Sequence, residues 1–204
     1  MFSHLKKALE IIRIVKSKEN IGDAAALKLT FSKKTEEITP YTSAVLALKK
    51  ETFEPIDIFQ LKLLPEPSFG YQYYKFLTEN SLYPLNFSSK SDGIYDLHPV
   101  SMRYIRVHDM FHVILGFDPS PSGEAGVYAF IQAQQYNQKL SQAAQTAKLV
   151  SKLMFWRSRE ISLAYDRGSS MGRRAKPFIE IPFERYLSTP LEELRSQWLV
   201  ENGK

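Results

Sequence analysis

Four side chains able to hold a metal ion fall within one short stretch: His108, Asp109, His112 and, after eleven further residues, Glu124. The whole chain has only 4 histidines, so two of them four apart form a notable concentration. On a helix, residues four apart project from one face a turn apart, which is the geometry that two nitrogen ligands of one ion require. Asp109 is rotated by about 100° around the same helix and can approach an ion from the side. A carboxylate and two imidazoles beside an apolar seam are costly to desolvate unless paired, and a dication satisfies them together. The competing arrangement pairs Asp109 with Arg103 or Arg106 and lets the histidines donate to backbone carbonyls. With no cysteine in the chain, thiolate sites, cysteine nucleophiles and disulfides are excluded, and any metal is held by nitrogen and oxygen. Two nitrogens and two carboxylates suit one divalent ion, zinc foremost, with iron, manganese or magnesium as alternatives. A zincin protease needs glutamate where Asp109 stands, and a di-iron bundle needs a second histidine motif; both rank low.

The elements that must position these residues read as helices. From Pro99 to Leu115, Val100, Tyr104, Val107, Phe111 and Ile114 recur at three and four spacing, predicting a central, largely buried helix. The stretch FDPSPSG ends it, and Ser122 is the expected cap of a following helix from Gly123 to about Leu140, with Glu124 in its first turn. Helices are also expected over 21–34, 40–52, the aromatic-rich PSFGYQYYKFLTEN and 141–166, with Pro55 and Pro67 in first helical turns. Residues 81–98 and 167–187 read as long loops. Thr189-Pro190 opens a short closing helix, with threonine as cap and proline at the first helical position. No repeat or alternation of strands with helices occurs, so the fold class is all-α: residues 1–204 form one helical bundle around a central metal-binding helix.

With 44% hydrophobic and 24% charged residues the chain can bury one good core. The net charge of +5 is spread along it. Nucleic-acid binding has only that charge and the run GRRAK behind it and is not expected. Residues 1–20 form an amphipathic N-terminal helix with Phe2, Leu5, Ala8, Leu9, Ile12 and Val15 on one stripe and lysines mostly off it. The simpler expectation packs that stripe on the core; the alternative lays it on an anionic membrane surface. No apolar run is long enough to span a bilayer.

The pattern His108-Asp109-x-x-His112, eleven residues, then Glu124 resembles the ubiquinone biosynthesis proteins known as the coenzyme Q biosynthesis protein 4 family. Leu64-Pro65, Phe69-Gly70, Tyr73 and Arg103-Tyr104 agree upstream; Gly116, Gly123, Phe130, Gln134, Gly172 to Lys176 and Pro190 to Arg195 agree downstream. The chain departs from the family at Arg106, usually acidic, and at Ile131, usually glutamate. The resemblance implies an all-helical fold, a metal at the four residues and a role in making a polyprenylated benzoquinone. The step implied is replacement of the ring carboxyl at C1 by hydroxyl, with other pathway enzymes and a polyprenyl lipid or quinone precursor as partners. It also implies a place at the inner face of an energy-transducing membrane; the chain is expected in the cytoplasm, peripheral on such a face, with a homodimer admitted. An isoprenoid tail needs an apolar tunnel. Phe69, Tyr73, Phe111, Leu115 and Phe130 are its candidate lining, with Arg103 and Tyr104 as further substrate contacts. The alternative function is a non-catalytic prenyl-lipid scaffold that organises quinone-pathway enzymes.

Overall fold

The computed structural model describes residues 2–31, 35–136 and 158–198. Among the described residues every regular element is helical; the only β-type pairing is an isolated bridge between Ser68 and Pro190. In chain order the helices are α1 (Phe2–Ser17), α2 (Ile21–Leu29), α3 (Thr42–Ala47), α4 (Lys49–Phe53), α5 (Ile58–Lys62), α6 (Phe69–Glu79), α7 (Asp92–Leu97), α8 (Pro99–Leu115), α9 (Pro121–Gln134), α10 (Ser158–Arg174) and α11 (Leu191–Gln197).

The central helix has the predicted bounds. Of the 17 residues of α8, only Tyr104, Ile105 and His108 are not buried, so other elements surround it. Pro99 occupies its first position, where a missing N–H costs nothing. The cap comes from far away in sequence: the Glu36 carboxylate accepts from Val100 N at 2.8 Å, Ser101 N at 3.2 Å and Ser101 Oγ at 2.5 Å. At the other end Gly116 takes the left-handed conformation, φ 68°. There the Arg195 guanidinium on α11 donates to the carbonyls of Val113 and Ile114, each at 2.9 Å.

Arg103 and Arg106 are also buried on α8. Arg103 forms a two-pronged bond to Glu184 at 2.6 and 2.9 Å and donates to the Ile181 carbonyl. Arg106 donates to Asn86 Oδ1 at 2.6 Å and to the Glu54 carbonyl, and its Nε lies 3.4 Å from Glu184. Both guanidiniums are therefore committed to other partners, and the alternative that pairs Asp109 with either arginine does not hold.

Local competition explains where the helices depart from expectation. Ser120, not Ser122, caps α9: its Oγ accepts from Gly123 N at 3.3 Å, and Pro121 follows at the first helical position. The helix stops at Gln134 because Gln135 turns left-handed at φ 53°. Pro55 and Pro67 lie ahead of the caps Asp57 and Ser68 rather than inside first turns. Thr189 offers no side-chain cap to α11; its carbonyl instead accepts Phe69 N at 2.8 Å, holding the start of α6. Within 81–98, Asp23 of α2 accepts from Ser88 N and Oγ and from Ser91 Oγ, and that buried carboxylate organises a 3-10 turn at Ser89–Ser91 that leads into α7. The expected helix over 40–52 breaks at Leu48 into α3 and α4.

The largest departure is α10. The stretch RGSSMG reads as a loop but is the second half of a helix, and the part of 141–166 before residue 158 lies outside the described residues. Its glycines serve close packing: a Cβ on Gly168 would lie 2.0 Å from the Gly126 carbonyl oxygen, and one on Gly172 2.5 Å from that of Phe130. Glycines four apart let α10 lie directly on the backbone of α9. The terminal helix also differs from expectation. In α1 the half-buried residues are Lys7, Ala8, Ile11 and Ile14, while the expected inward stripe of Leu5, Leu9, Ile12 and Val15 faces solvent.

Candidate metal centre

His108 and His112 stand one turn apart on α8 with ring centroids 4.9 Å apart. Glu124, in the first turn of α9, reaches between them: its Oε2 lies 3.5 Å from His108 Nε2 and its Oε1 3.4 Å from His112 Nε2. One ligand atom from each of the three falls within 4.8 Å of the others, so this group could hold a metal ion.

The nitrogens are arranged for such a role. His112 Nδ1 sits 3.2 Å from the Phe117 carbonyl, which can only accept, so that nitrogen carries the hydrogen and Nε2 presents its lone pair. His112 Nε2 is buried and has no hydrogen-bond partner. A lone pair turned toward a carboxylate oxygen is unfavourable, and a cation between the two atoms, a proton or a metal ion, relieves it; two imidazoles and a carboxylate together fit a dication. His108 Nδ1 is 3.1 Å from Asp109 Oδ1. Asp109 thus stands behind His108, in the position from which a carboxylate orients a ligating imidazole, and is not one of the three groups that converge.

Without a metal, His108 plays the cation. Burial alone would lower its pKa, but bonds to Asp109 and Glu124 outweigh that and raise it to about 9. Burial would raise Glu124, but the bond from the His108 cation, foremost, holds it down at about 2. The raised histidine stabilises the metal-free fold below its ordinary value of 6.5, and that contribution is lost as pH climbs through about 9. The depressed carboxylate contributes above 4.5, and its contribution is lost as pH falls toward about 2. Ion uptake must expel the His108 proton. Titration calorimetry is expected to show about one proton released per ion near neutral pH, with affinity rising about tenfold per pH unit toward 9. An affinity that does not change between about pH 6.5 and 8.5 would remove His108 from the ligand set.

Around the triad, Phe76 of α6 stacks on His112 at 5.5 Å and 23°. Tyr104 meets the His108 ring edge-on at 5.4 Å, and its hydroxyl is buried with no hydrogen-bond partner among the described residues. Burial, then the Tyr128 phenol and the Glu124 charge, push that hydroxyl's pKa well above the usual tyrosine range, so it stays a donor. Phe76 and the Phe117 carbonyl escape a sequence reading: one looks like any aromatic of α6, and the other is backbone.

The proposed tunnel residues all sit inside the core. Phe69, Phe111, Leu115 and Phe130 are fully buried and Tyr73 nearly so. Phe111 contacts the rings of Phe130, Phe178 and Phe183. None of the five lines a described cavity; the one that reaches the centre, about 480 Å³, is walled by His112, Phe76, Phe117, Lys75 and Arg195. Arg103 points to Glu184 rather than to the triad.

Residues 42–203 match the family described as coenzyme Q (ubiquinone) biosynthesis protein Coq4. A mitochondrial ubiquinone biosynthesis protein COQ4 homolog from Culex quinquefasciatus is 27% identical over 155 residues, covering 72% of this chain and 52% of that protein. The Danio rerio homolog is 29% identical over 154 residues, covering 72% and 54%. The Homo sapiens homolog is 29% identical over 153 residues, covering 70% and 54%. The chain spans about half the length of these curated relatives. A crystal structure from Nostoc punctiforme, described as a candidate ubiquinone biosynthesis protein, superposes with a TM-score of 0.60 at 20% identity over 96% of this chain and 97% of that one. That likeness establishes a shared fold. The relatives are mitochondrial by name, not cytoplasmic as the sequence reading has it. Among the described residues no helix is long and apolar enough to cross a membrane.

Proposed function

The chain belongs to the Coq4 family of coenzyme Q (ubiquinone) biosynthesis proteins, and from that premise we propose that it acts on a polyprenylated ring precursor at one divalent ion held by His108, His112 and Glu124. The reaction exchanges the C1 carboxyl of the ring for hydroxyl. Carbon dioxide leaves, water supplies the new oxygen, and two electrons with two protons pass to a separate acceptor. The observation that carries this reading is the convergence of His108, His112 and Glu124, with the buried Nε2 of His112 3.4 Å from a Glu124 oxygen.

A bound dication would supply Lewis acidity to the carboxylate and phenol oxygens of the ring. The protein's part is to place it. The Phe117 carbonyl fixes the tautomer of His112, Asp109 fixes the ring of His108, and three protein ligands leave room for substrate oxygen. Glu124 keeps a third of its side chain open to solvent, which gives an approach from the α9 side. The exposed row Leu5, Leu9, Ile12 and Val15 beside Lys6, Arg13 and Lys16 suits an anionic membrane surface, where a prenylated substrate resides.

A scaffold reading is favoured by one observation: Leu5, Leu9, Ile12 and Val15 of α1 stand exposed, an apolar row on which lipid can be held without turnover, whereas the interior residues expected to carry the tail are packed core. Carboxyl-labelled prenylated hydroxybenzoate, presented in vesicles with a two-electron acceptor, separates the two. Label released as carbon dioxide by the metal-loaded chain, and lost in Glu124→Ala, is the expected result. Vesicle and substrate binding without release by the loaded protein would establish the scaffold and overturn the decarboxylase.

A further inference from the structure

We propose that Tyr104 is a ligand-binding residue of the centre: its hydroxyl donates to one oxygen of an aromatic ligand whose adjacent oxygen sits on the ion. The proposal rests on the metal reading above and names the ligand class, a ring bearing two neighbouring oxygens such as a catechol or an ortho-hydroxybenzoate.

Tyr104 lies one turn before His108 on α8, so the two side chains leave the helix from one face. Its ring is held between His108, edge-on at 5.4 Å, and Phe111 at 6.2 Å. Packing on both sides holds the ring in place beside the His108 imidazole. That hydroxyl is closed off from solvent, yet among the described residues no group accepts its hydrogen. Buried phenols are nearly always paired, and an unpaired one beside a ligand site suggests that a ligand supplies the acceptor. With three protein ligands, an incoming oxygen can take an open position on the ion. A neutral donor alongside selects a ligand with a second, charge-bearing oxygen rather than a simple phenol.

The test uses the full chain loaded with cobalt(II), whose visible spectrum reports changes in coordination, titrated with salicylate, catechol and phenol. Tyr104→Phe removes only the hydroxyl. The metal-free variant is expected to melt no lower than the parent, since a buried unpaired group has been removed, and to bind cobalt equally well. Its affinity for salicylate and catechol is expected to fall about tenfold or more, the loss of one bond to a charged oxygen, with phenol unaffected. Cobalt bound equally by both proteins, with salicylate and catechol affinities also equal or absent in both, overturns the role of Tyr104 while sparing the metal site. A melting point lowered by several degrees would show that the hydroxyl has a protein partner and would overturn it too. Absence of a cobalt spectrum in the parent chain would overturn the metal reading, and this proposal with it.

Discussion

His112→Ala is expected to lower affinity for a divalent ion by more than about a hundredfold, beyond what loss of a partner behind a ligand costs. His112 is the most deeply buried of the three ligands, and its Nε2 makes no hydrogen bond among the described residues, with Glu124 Oε1 3.4 Å away. Alanine also removes the ring stacked on Phe76 and the bond to the Phe117 carbonyl. The metal-free variant should therefore lose about 1–3 kcal/mol of stability, in the usual range for a buried side chain. The decisive readouts are elemental analysis of untagged protein and the gain in melting temperature on adding metal. The parent should carry about one ion per chain and gain stability with it. The variant should carry none and gain nothing; an unchanged ion content would place the site elsewhere.

The second large effect concerns a residue that touches no ligand. Gly168→Ala places a Cβ where the Gly126 carbonyl oxygen is 2.0 Å away and its carbon 2.8 Å away. Both obstacles are backbone, so no side chain can swing aside and α10 must lift from α9. Overpacking of this kind costs about 1–3 kcal/mol and sometimes more. Here the upper end is expected, a fall of about 6–12 °C in melting temperature for a chain of this size. Because α9 carries Glu124, the ion should also bind more weakly than in the parent. Gly93→Ala in α7 is the control: a Cβ there meets nothing within 4 Å, so the change should be neutral or slightly stabilising. Equal melting temperatures for the two variants would show that α9 and α10 are not packed as described.

The two outcomes probe different parts of one arrangement. The histidine variant asks whether the triad holds a cation, and the glycine variant asks whether the helix that brings in Glu124 is held by backbone contact. Their separation matters because a fold lost for packing reasons also loses metal, whereas His112→Ala should leave helix content largely intact.

Much of the centre was legible in the residues alone. The bounds of α8 follow from apolar spacing between Pro99 and Gly116, and the face shared by His108 and His112 follows from the helical repeat. Glu124 in the first turn of the next helix follows from the break at FDPSPSG and a serine cap, although the capping serine is Ser120 rather than Ser122. Other features depend on partners distant in the chain. Glu36 caps α8 from over sixty residues away, and Glu184 takes both arginines that might have paired with Asp109. Local pattern carries no record of such contacts.

Residue types and helical periodicity by themselves determined an all-α fold, the central helix and the convergence of two imidazoles and a carboxylate, because those depend on spacing along one or two neighbouring helices. Tertiary structure alone decided that Asp109 stands behind His108, that RGSSMG is helical, that the stripe on α1 faces outward and that the Tyr104 hydroxyl is left without a protein partner. Each of these depends on which groups compete for the same space or the same proton once the helices have packed.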